Sequence, residues 1–233
     1  WKMTNKQIKE KGRIAFKANY WFCVLAAFLL ELFTVGTTAS GNRAAQNADP
    51  SQSVQQIVEQ ASPEDLMVIG GVVFGTVVVI IVISLLLKIF LFNPLSVGCH
   101  RFFRKNIEDT NTKIGVIKEG FENFGHIFVT LFLRDLFIAL WSLLFVIPGI
   151  VKSYAYWLVP YILKDNPELS ATEAITRSKE LMMGNKWRAF VLDLSFLGWY
   201  LLGALTLGIV NLFWTNPYRE STKAQFYLDL LEN

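Results

Sequence analysis

Cysteine, histidine and charge are all scarce in this sequence, and each scarcity removes a class of protein. Cys23 and Cys99 are the two cysteines, His100 and His126 the two histidines, and no CxxC or Cys/His cluster joins them. Neither a disulfide framework nor a zinc site is therefore expected. Charged residues are 18% of the chain and hydrophobic ones 53%, whereas a soluble domain keeps about a quarter of its residues charged. HExxH, GxSxG, P-loop and Gly-rich dinucleotide patterns are missing. The sequence thus predicts no catalytic residue, no metal and no cofactor. An intramembrane aspartyl hydrolase needs two carboxylates of different protonation. Its GxGD context is absent, because Asp135 sits in LRDL and Asp193 in LDLS.

What is present is long apolar blocks. From Ile127 to Ile147, 21 residues are apolar apart from Arg134–Asp135 and a few hydroxyls. At about 1.5 Å per residue they reach roughly 30 Å, the hydrocarbon thickness of a bilayer. Pro148-Gly149 breaks the run, and a second apolar leg returns to Pro160-Tyr161. The pattern predicts a membrane hairpin carrying a charge pair. Its recurrence predicts an all-α integral membrane protein.

Charge is distributed as unevenly as apolarity. Eighteen of the 22 Lys and Arg residues fall in segments assigned to one side, three within apolar runs (Lys88, Arg134, Lys152), and Arg43 alone on the other side. Basic residues gather on the cytoplasmic face, so both termini, residues 95–126 and residues 164–186 are expected there. Nucleic acid is a poor partner for this basic side, because twelve acids share its segments. The balance suits the anionic leaflet of a lipid membrane instead.

In chain order, residues 1–18 have basic residues with Ile8, Gly12/Ala15 and Phe16 at helical spacing, a short amphipathic helix. A cleavable leader over residues 1–40 is the competing expectation. It fails because Tyr20–Thr38 is long enough to span and Glu31 interrupts it, although Thr37–Ser40 offers small residues. Residues 39–65 form an acidic extracytoplasmic loop with a short surface helix. Ser62-Pro63-Glu64-Asp65 reads as the cap and first turn of the next crossing, which runs from Leu66 to Phe92 and ends at Asn93-Pro94. Ile117, Phe121, Phe124 and Phe128 predict a second amphipathic helix before the hairpin. Ser170-x-x-Glu173 is a capping box opening a third, with Ala174, Ile175, Ser178, Leu181 and Met182 on one face. Trp187–Leu205 is another crossing, Thr206-Leu207-Gly208 turns it, and a leg returns to Asn216-Pro217. Residues 219–233 are expected to be a cytoplasmic helix with Phe226, Tyr227, Leu230 and Leu231 on one face.

These pieces form an internal repeat. Asp135 with Trp141 and Leu143-Leu144 matches Asp193 with Trp199 and Leu201-Leu202. Gly149 matches Gly208, and Pro160-Tyr161 matches Pro217-Tyr218, while Pro94 marks the fainter first copy. The expectation is one membrane domain of three helix–hairpin repeats: about 4–106, 113–163 and 171–228. That gives six membrane segments. The returning legs are short, so a four-crossing alternative fuses each hairpin into one kinked helix. It places Lys164, Arg177, Lys179, Lys186 and Arg188 outside, against the charge rule.

The stretches NYWF (from Asn19), NPLSVG (from Asn93), LFVIPGIVKSY (from Leu144), PYILKDNP (from Pro160), GNKWR (from Gly184) and TLGI (from Thr206) resemble domain-of-unknown-function family 975. The resemblance implies a bacterial integral membrane protein of the cytoplasmic membrane. It supplies no activity and no catalytic residues. The acidic loop at 39–65 has no counterpart in it.

Ionisable residues inside apolar runs face protein or water; here they are Glu31, Lys88, Arg134, Asp135, Lys152 and Asp193. Lys88 can snorkel to the inner surface. Arg134, Asp135, Asp193 and Lys152 are the candidate binding residues, with two readings. One is a structural ion pair locking repeat two to repeat three. The other is a polar cavity for a small-molecule, lipid or peptide ligand. Because neighbouring helical side chains diverge by about 100°, Asp193 rather than Asp135 is expected to pair with Arg134. The functional expectation is a non-catalytic envelope component that binds or moves such a ligand. Its rival is an accessory or scaffold subunit that binds a membrane protein partner or a second copy of itself.

Overall fold

A computed structural model describes residues 2–39 and 63–232, and it divides the chain into two compact units. One comprises Trp1–Leu30 with Asn93–Asn233, the other Glu31–Phe92. The described residues are helical throughout, with no strand. Among the described residues, four stretches are long and apolar enough to cross a membrane: Met67–Glu108, Phe124–Leu144, Val146–Asp165 and Lys186–Leu205. A fifth is added if Asn5–Ala18 and Tyr20–Glu31, bent by 106°, count as one span. Most of the acidic loop expected at 39–65 lies outside the described residues, as does Ser62.

In the smaller unit, α3 (Pro63–Leu87) opens on its proline as expected, and a π-helical turn follows at Lys88–Phe92. Asn93-Pro94 does not end a helix there but opens the next, α4 (Asn93–Glu108), in the larger unit. A proline has no N–H to donate, so a helix beginning at this point loses nothing to it.

The larger unit begins with α1 (Asn5–Ala18), capped by a reciprocal Thr4–Gln7 box and followed by α2 (Tyr20–Ala39), whose residues from Glu31 on fall in the smaller unit. The buried face of α1 is Ile8, Gly12, Ala15 and Phe16, the stripe that the spacing predicts. Burying Ile8 and Phe16 contributes on the order of 2 kcal/mol each. The next segment departs from expectation. Ile114–Phe121 is a 3₁₀ helix, and Asn123 in the left-handed region separates it from α5 (Phe124–Leu144). Of the predicted stripe, Ile117 is buried while Phe121 is exposed. The tighter helix brings its backbone onto α4, where a Cβ on Gly98 would stand 2.0 Å from the Ile117 carbonyl oxygen. Only glycine tolerates that approach.

The central hairpin turns three residues earlier than Pro148-Gly149. Phe145 is extended, and Pro148 sits in the first turn of α6 (Val146–Ala155), where its missing N–H costs no bond. Gly149 lies against Ser142 of α5. After a break at Tyr156–Leu158, α7 (Val159–Asp165) carries Pro160 at its start. The capping box then opens α8 (Ala171–Leu181), with Ser170 accepting from the Glu173 N–H. Ala174, Ile175, Ser178 and Met182 are buried as its spacing predicts.

The last hairpin rises through α9 (Lys186–Leu194) and α10 (Leu197–Leu205). It turns at Leu207 and Gly208, whose φ values are +51° and +88°, the region glycine enters without steric cost. A second π-helical turn, Asn211–Thr215, again directly precedes an Asn-Pro pair that opens α11 (Asn216–Leu231). The expected one-sided apolar face of this C-terminal helix is corrected by its surroundings. It packs against α1 and α4, and Glu220, Ser221, Thr222, Lys223, Gln225 and Asp229 are buried along with Phe226, Tyr227 and Leu230, while Leu231 is exposed.

Candidate functional site

The four candidate binding residues fall on α5, α6 and α9, and they do not converge on one site. Arg134 folds along α5 onto its neighbour: its Nη2 is 2.7 Å and its Nε 2.9 Å from Asp135 Oδ1. The expected Arg134–Asp193 pair is therefore not formed. An arginine side chain is long enough to curl back across the angle between adjacent helical residues, and Asp193 is held by another cation. Arg219 of α11 donates to Asp193 at 2.9 Å, and the Tyr154 hydroxyl of α6 donates at 3.2 Å. Lys152 has an aromatic partner instead, its ammonium 4.5 Å from the Trp141 ring centre and 5.9 Å from that of Tyr156.

Arg219 leads into a cluster that the sequence reading missed. Glu220 accepts from Lys223 at 2.8 Å, lies 3.5 Å from Arg219 Nη1 and 3.9 Å from His100 Nε2. Burial alone would raise the Glu220 carboxyl. Lys223, Arg219 and His100 outweigh it and hold the group down at about 2. For Lys223, burial is the larger influence and lowers the ammonium below its ordinary value, with Arg219 adding to the depression. The available signal was the stretch RESTK inside a helix with hydroxyls where an apolar stripe should run.

A second charged group forms a cavity. Between α4, α7, α8 and α11 lies a hollow of about 800 Å³ whose walls include Arg101, Arg104, Lys164, Asp165, Arg177 and Tyr227. Asp165 accepts from Arg101, from Arg104 Nε at 3.0 Å and from the Tyr227 hydroxyl at 2.9 Å. Glu119 takes the other side of Arg101 at 3.2 Å and Lys105 at 2.7 Å. Burial pushes the Tyr227 hydroxyl well above its usual value, and the Asp165 carboxylate pushes it the same way. Guanidinium forks set against a carboxylate and a phenol can hydrogen-bond a carboxylate, phosphate or amide in a fixed orientation. None of Arg134, Asp135, Lys152 or Asp193 lines this cavity. Arg101 and Arg104 are 64 and 61 residues from Asp165 in the sequence, and only the fold brings them together.

Among the described residues no group of three His, Cys, Asp or Glu side chains could hold a metal ion. Cys23 and Cys99 are both free and buried.

No curated protein and no solved structure matches the chain. Residues 143–233 match the model of the family described as Protein of unknown function (DUF975), which covers the LFVIPGIVKSY, PYILKDNP and GNKWR stretches and shows the resemblance there.

Proposed function

We propose that this chain is a non-catalytic multi-pass protein of the bacterial cytoplasmic membrane, with both termini cytoplasmic, that binds a small polar ligand in the cavity between α4, α7, α8 and α11. The cavity carries the reading: about 800 Å³ is within the range of small-molecule sites. Its wall mixes four cations with Asp165, Glu173 and Glu180, which suits a ligand presenting both an anionic and a donor group. Its position on the basic side gives access from the cytoplasm. In this reading the body is built as three hairpin units with six membrane legs. The π-helical turns at Lys88–Phe92 and Asn211–Thr215, each running into Asn-Pro, support the equivalence of the first and third units.

The test is native mass spectrometry of protein extracted with its own lipid into nanodiscs. Thr176 is an exposed wall residue, so Thr176→Trp fills the hollow without breaking an ion pair. A non-lipid adduct on the wild type that disappears in Thr176→Trp is the expected result. Identical spectra for the two proteins would reject the cavity as a binding site and leave the accessory-subunit reading in its place.

A further inference from the structure

The tips of the second and third hairpins are unlike loops that reach water. Leu143, Leu144, Phe145, Val146 and Ile147 are 65–83% exposed, and Leu205 and Leu207 are 82% and 95% exposed. No charged residue occurs among residues 136–151 or 194–218. The few polar groups near the tips are turned inward. The Ser142 hydroxyl donates to the Ile138 carbonyl at 2.8 Å, and Thr206 donates to the Leu202 carbonyl at 3.1 Å. Backbone donors follow suit: Phe145 N–H returns to Trp141, Gly149 N–H to Phe145, and Gly208 N–H to Gly203. Turn groups bonded back to their own helices are what a hydrocarbon setting favours.

The height of the hairpins can be measured against a polar level in the same unit. Ser178 of α8 donates to the Ala155 carbonyl at 2.9 Å. On the same helix, Arg177 and Glu180 have half of their side-chain surface in the open. Ala155 is therefore beside a helix that faces water. From Ala155 to Phe145 is ten residues, ~15 Å of helix. The third hairpin gives the same answer from the neighbouring Tyr154–Asp193–Arg219 contacts. Asp193 to Thr206 is ~20 Å, and Gly208 to Arg219 is ~16 Å. Lys152 is in the last turn of α6, at the end of the leg away from the tip. A hydrocarbon core is ~30 Å thick, so hairpins rising ~15–20 Å above this level end inside it. The 21-residue α5 is longer, and its first half, with Ile127, Thr130 and Leu131, is buried in the body.

We infer that the second and third hairpins are re-entrant: they enter the bilayer from the cytoplasmic face, seat Leu143–Ile147 and Leu205–Ile209 among the acyl chains near the midplane, and return without reaching the far side. The partner of these tips is the lipid interior. The inference rests on the cytoplasmic assignment of α8 in the preceding section and refines it, replacing outer turns with turns that no water reaches.

The test uses full-length protein with Cys23→Ala and Cys99→Ala as background and single cysteines at three places: Phe145→Cys, Leu207→Cys and Thr176→Cys. All three positions are exposed in the fold, so the substitutions leave the packing alone. Intact cells are treated with a membrane-impermeant maleimide, and inverted vesicles are treated in parallel, with denatured samples as the measure of full labelling. The expected result is loss of labelling at 145 and 207 from both sides, with 176 labelled only in inverted vesicles. In phosphatidylethanolamine–phosphatidylglycerol proteoliposomes, a bimane at 145 or 207 should be quenched more by a nitroxide at the acyl-chain terminus than by one near the headgroup. Labelling of 145 or 207 in intact cells, or stronger quenching near the headgroup, overturns the re-entrant hairpins while leaving the cytoplasmic assignment standing. Labelling of 176 in intact cells overturns that assignment itself.

Discussion

Glu220 offers the sharpest test of the reasoning, because it is 8% exposed and has two cations, Lys223 and Arg219, and the His100 imidazole within 4 Å of its carboxylate. At an effective dielectric constant of about 20, unit charges ~3 Å apart attract by ~6 kcal/mol, but taking each ion out of water costs several kcal/mol. The balance is read from the carboxyl itself, which is held at about 2 instead of 4.5, a difference of ~3 kcal/mol in favour of the ionised folded protein. Because the folded value is the lower one, this stabilisation is complete above about pH 4.5 and is lost as pH falls towards 2. Glu220→Gln removes it at neutral pH and takes from the buried Lys223 ammonium the carboxylate at 2.8 Å, while Arg219 keeps Asp193. The expected loss is ~3–5 kcal/mol, a melting-temperature drop of ~10 °C for a chain of this length. The double variant Glu220→Gln/Lys223→Met, which removes the stranded ammonium, should recover at least half of that drop. Thermal melting in nanodiscs at pH 7 measures all three proteins. A single variant that melts with the wild type, or a double variant whose losses add, would refute the account of this cluster.

Asp193→Asn should lower the melting temperature by removing the nearer of the two carboxylates that face Arg219, at a cost of ~2–4 kcal/mol. The same assay should show rescue by Arg219→Met and none by Arg134→Met. Gly98→Ala forces a methyl to within 2.0 Å of the Ile117 carbonyl and should destabilise by ~1–3 kcal/mol. Gly125→Ala meets nothing within 4 Å and should melt close to the wild type in the same scan.

Much of the architecture was legible because periodicity reports burial directly. The stripe of α1 and the capping box of α8 came straight from residue spacing, and Gly208 announced its own turn. The misreadings have physical causes. Pro148 suggested a turn because proline ends helices, yet it equally begins them, and the break fell at Phe145. Ile117 and Phe121 have a helical spacing that a 3₁₀ helix does not preserve. The C-terminal helix was read as half-exposed because hydroxyls and charges normally face water. Nothing local says that Glu220, Lys223 and Asp229 will neutralise or be neutralised inside a packed layer. The cavity was illegible for a similar reason: Arg101, Asp165 and Tyr227 come from three segments that only tertiary packing joins.

The pairing of the intramembrane charges says how the hairpins are held. Had Arg134 bonded Asp193, the second and third hairpins would share a buried ion pair and stand or fall together. Instead each hairpin pairs its own acid with its own base, Arg134 with Asp135 on one leg and Asp193 with Arg219 across the base of the other, while Lys152 of the second hairpin rests on Trp141. What joins the two hairpins is the Tyr154–Asp193 hydrogen bond and the aromatic contacts of α11, where Phe226 meets Trp157 and Tyr227 stacks on Tyr161. Those rings lie on the same side of the Asp193–Arg219 pair as Asp229, whose own partner is Arg188 at 2.6 Å. Rigid coupling is therefore concentrated in the polar layer around α11, and the apolar halves of the hairpins are left to be positioned by lipid. Both ion pairs, Arg134–Asp135 and Asp193–Arg219, lie along the chain away from the tips, where residues 136–151 and 194–218 carry no charge.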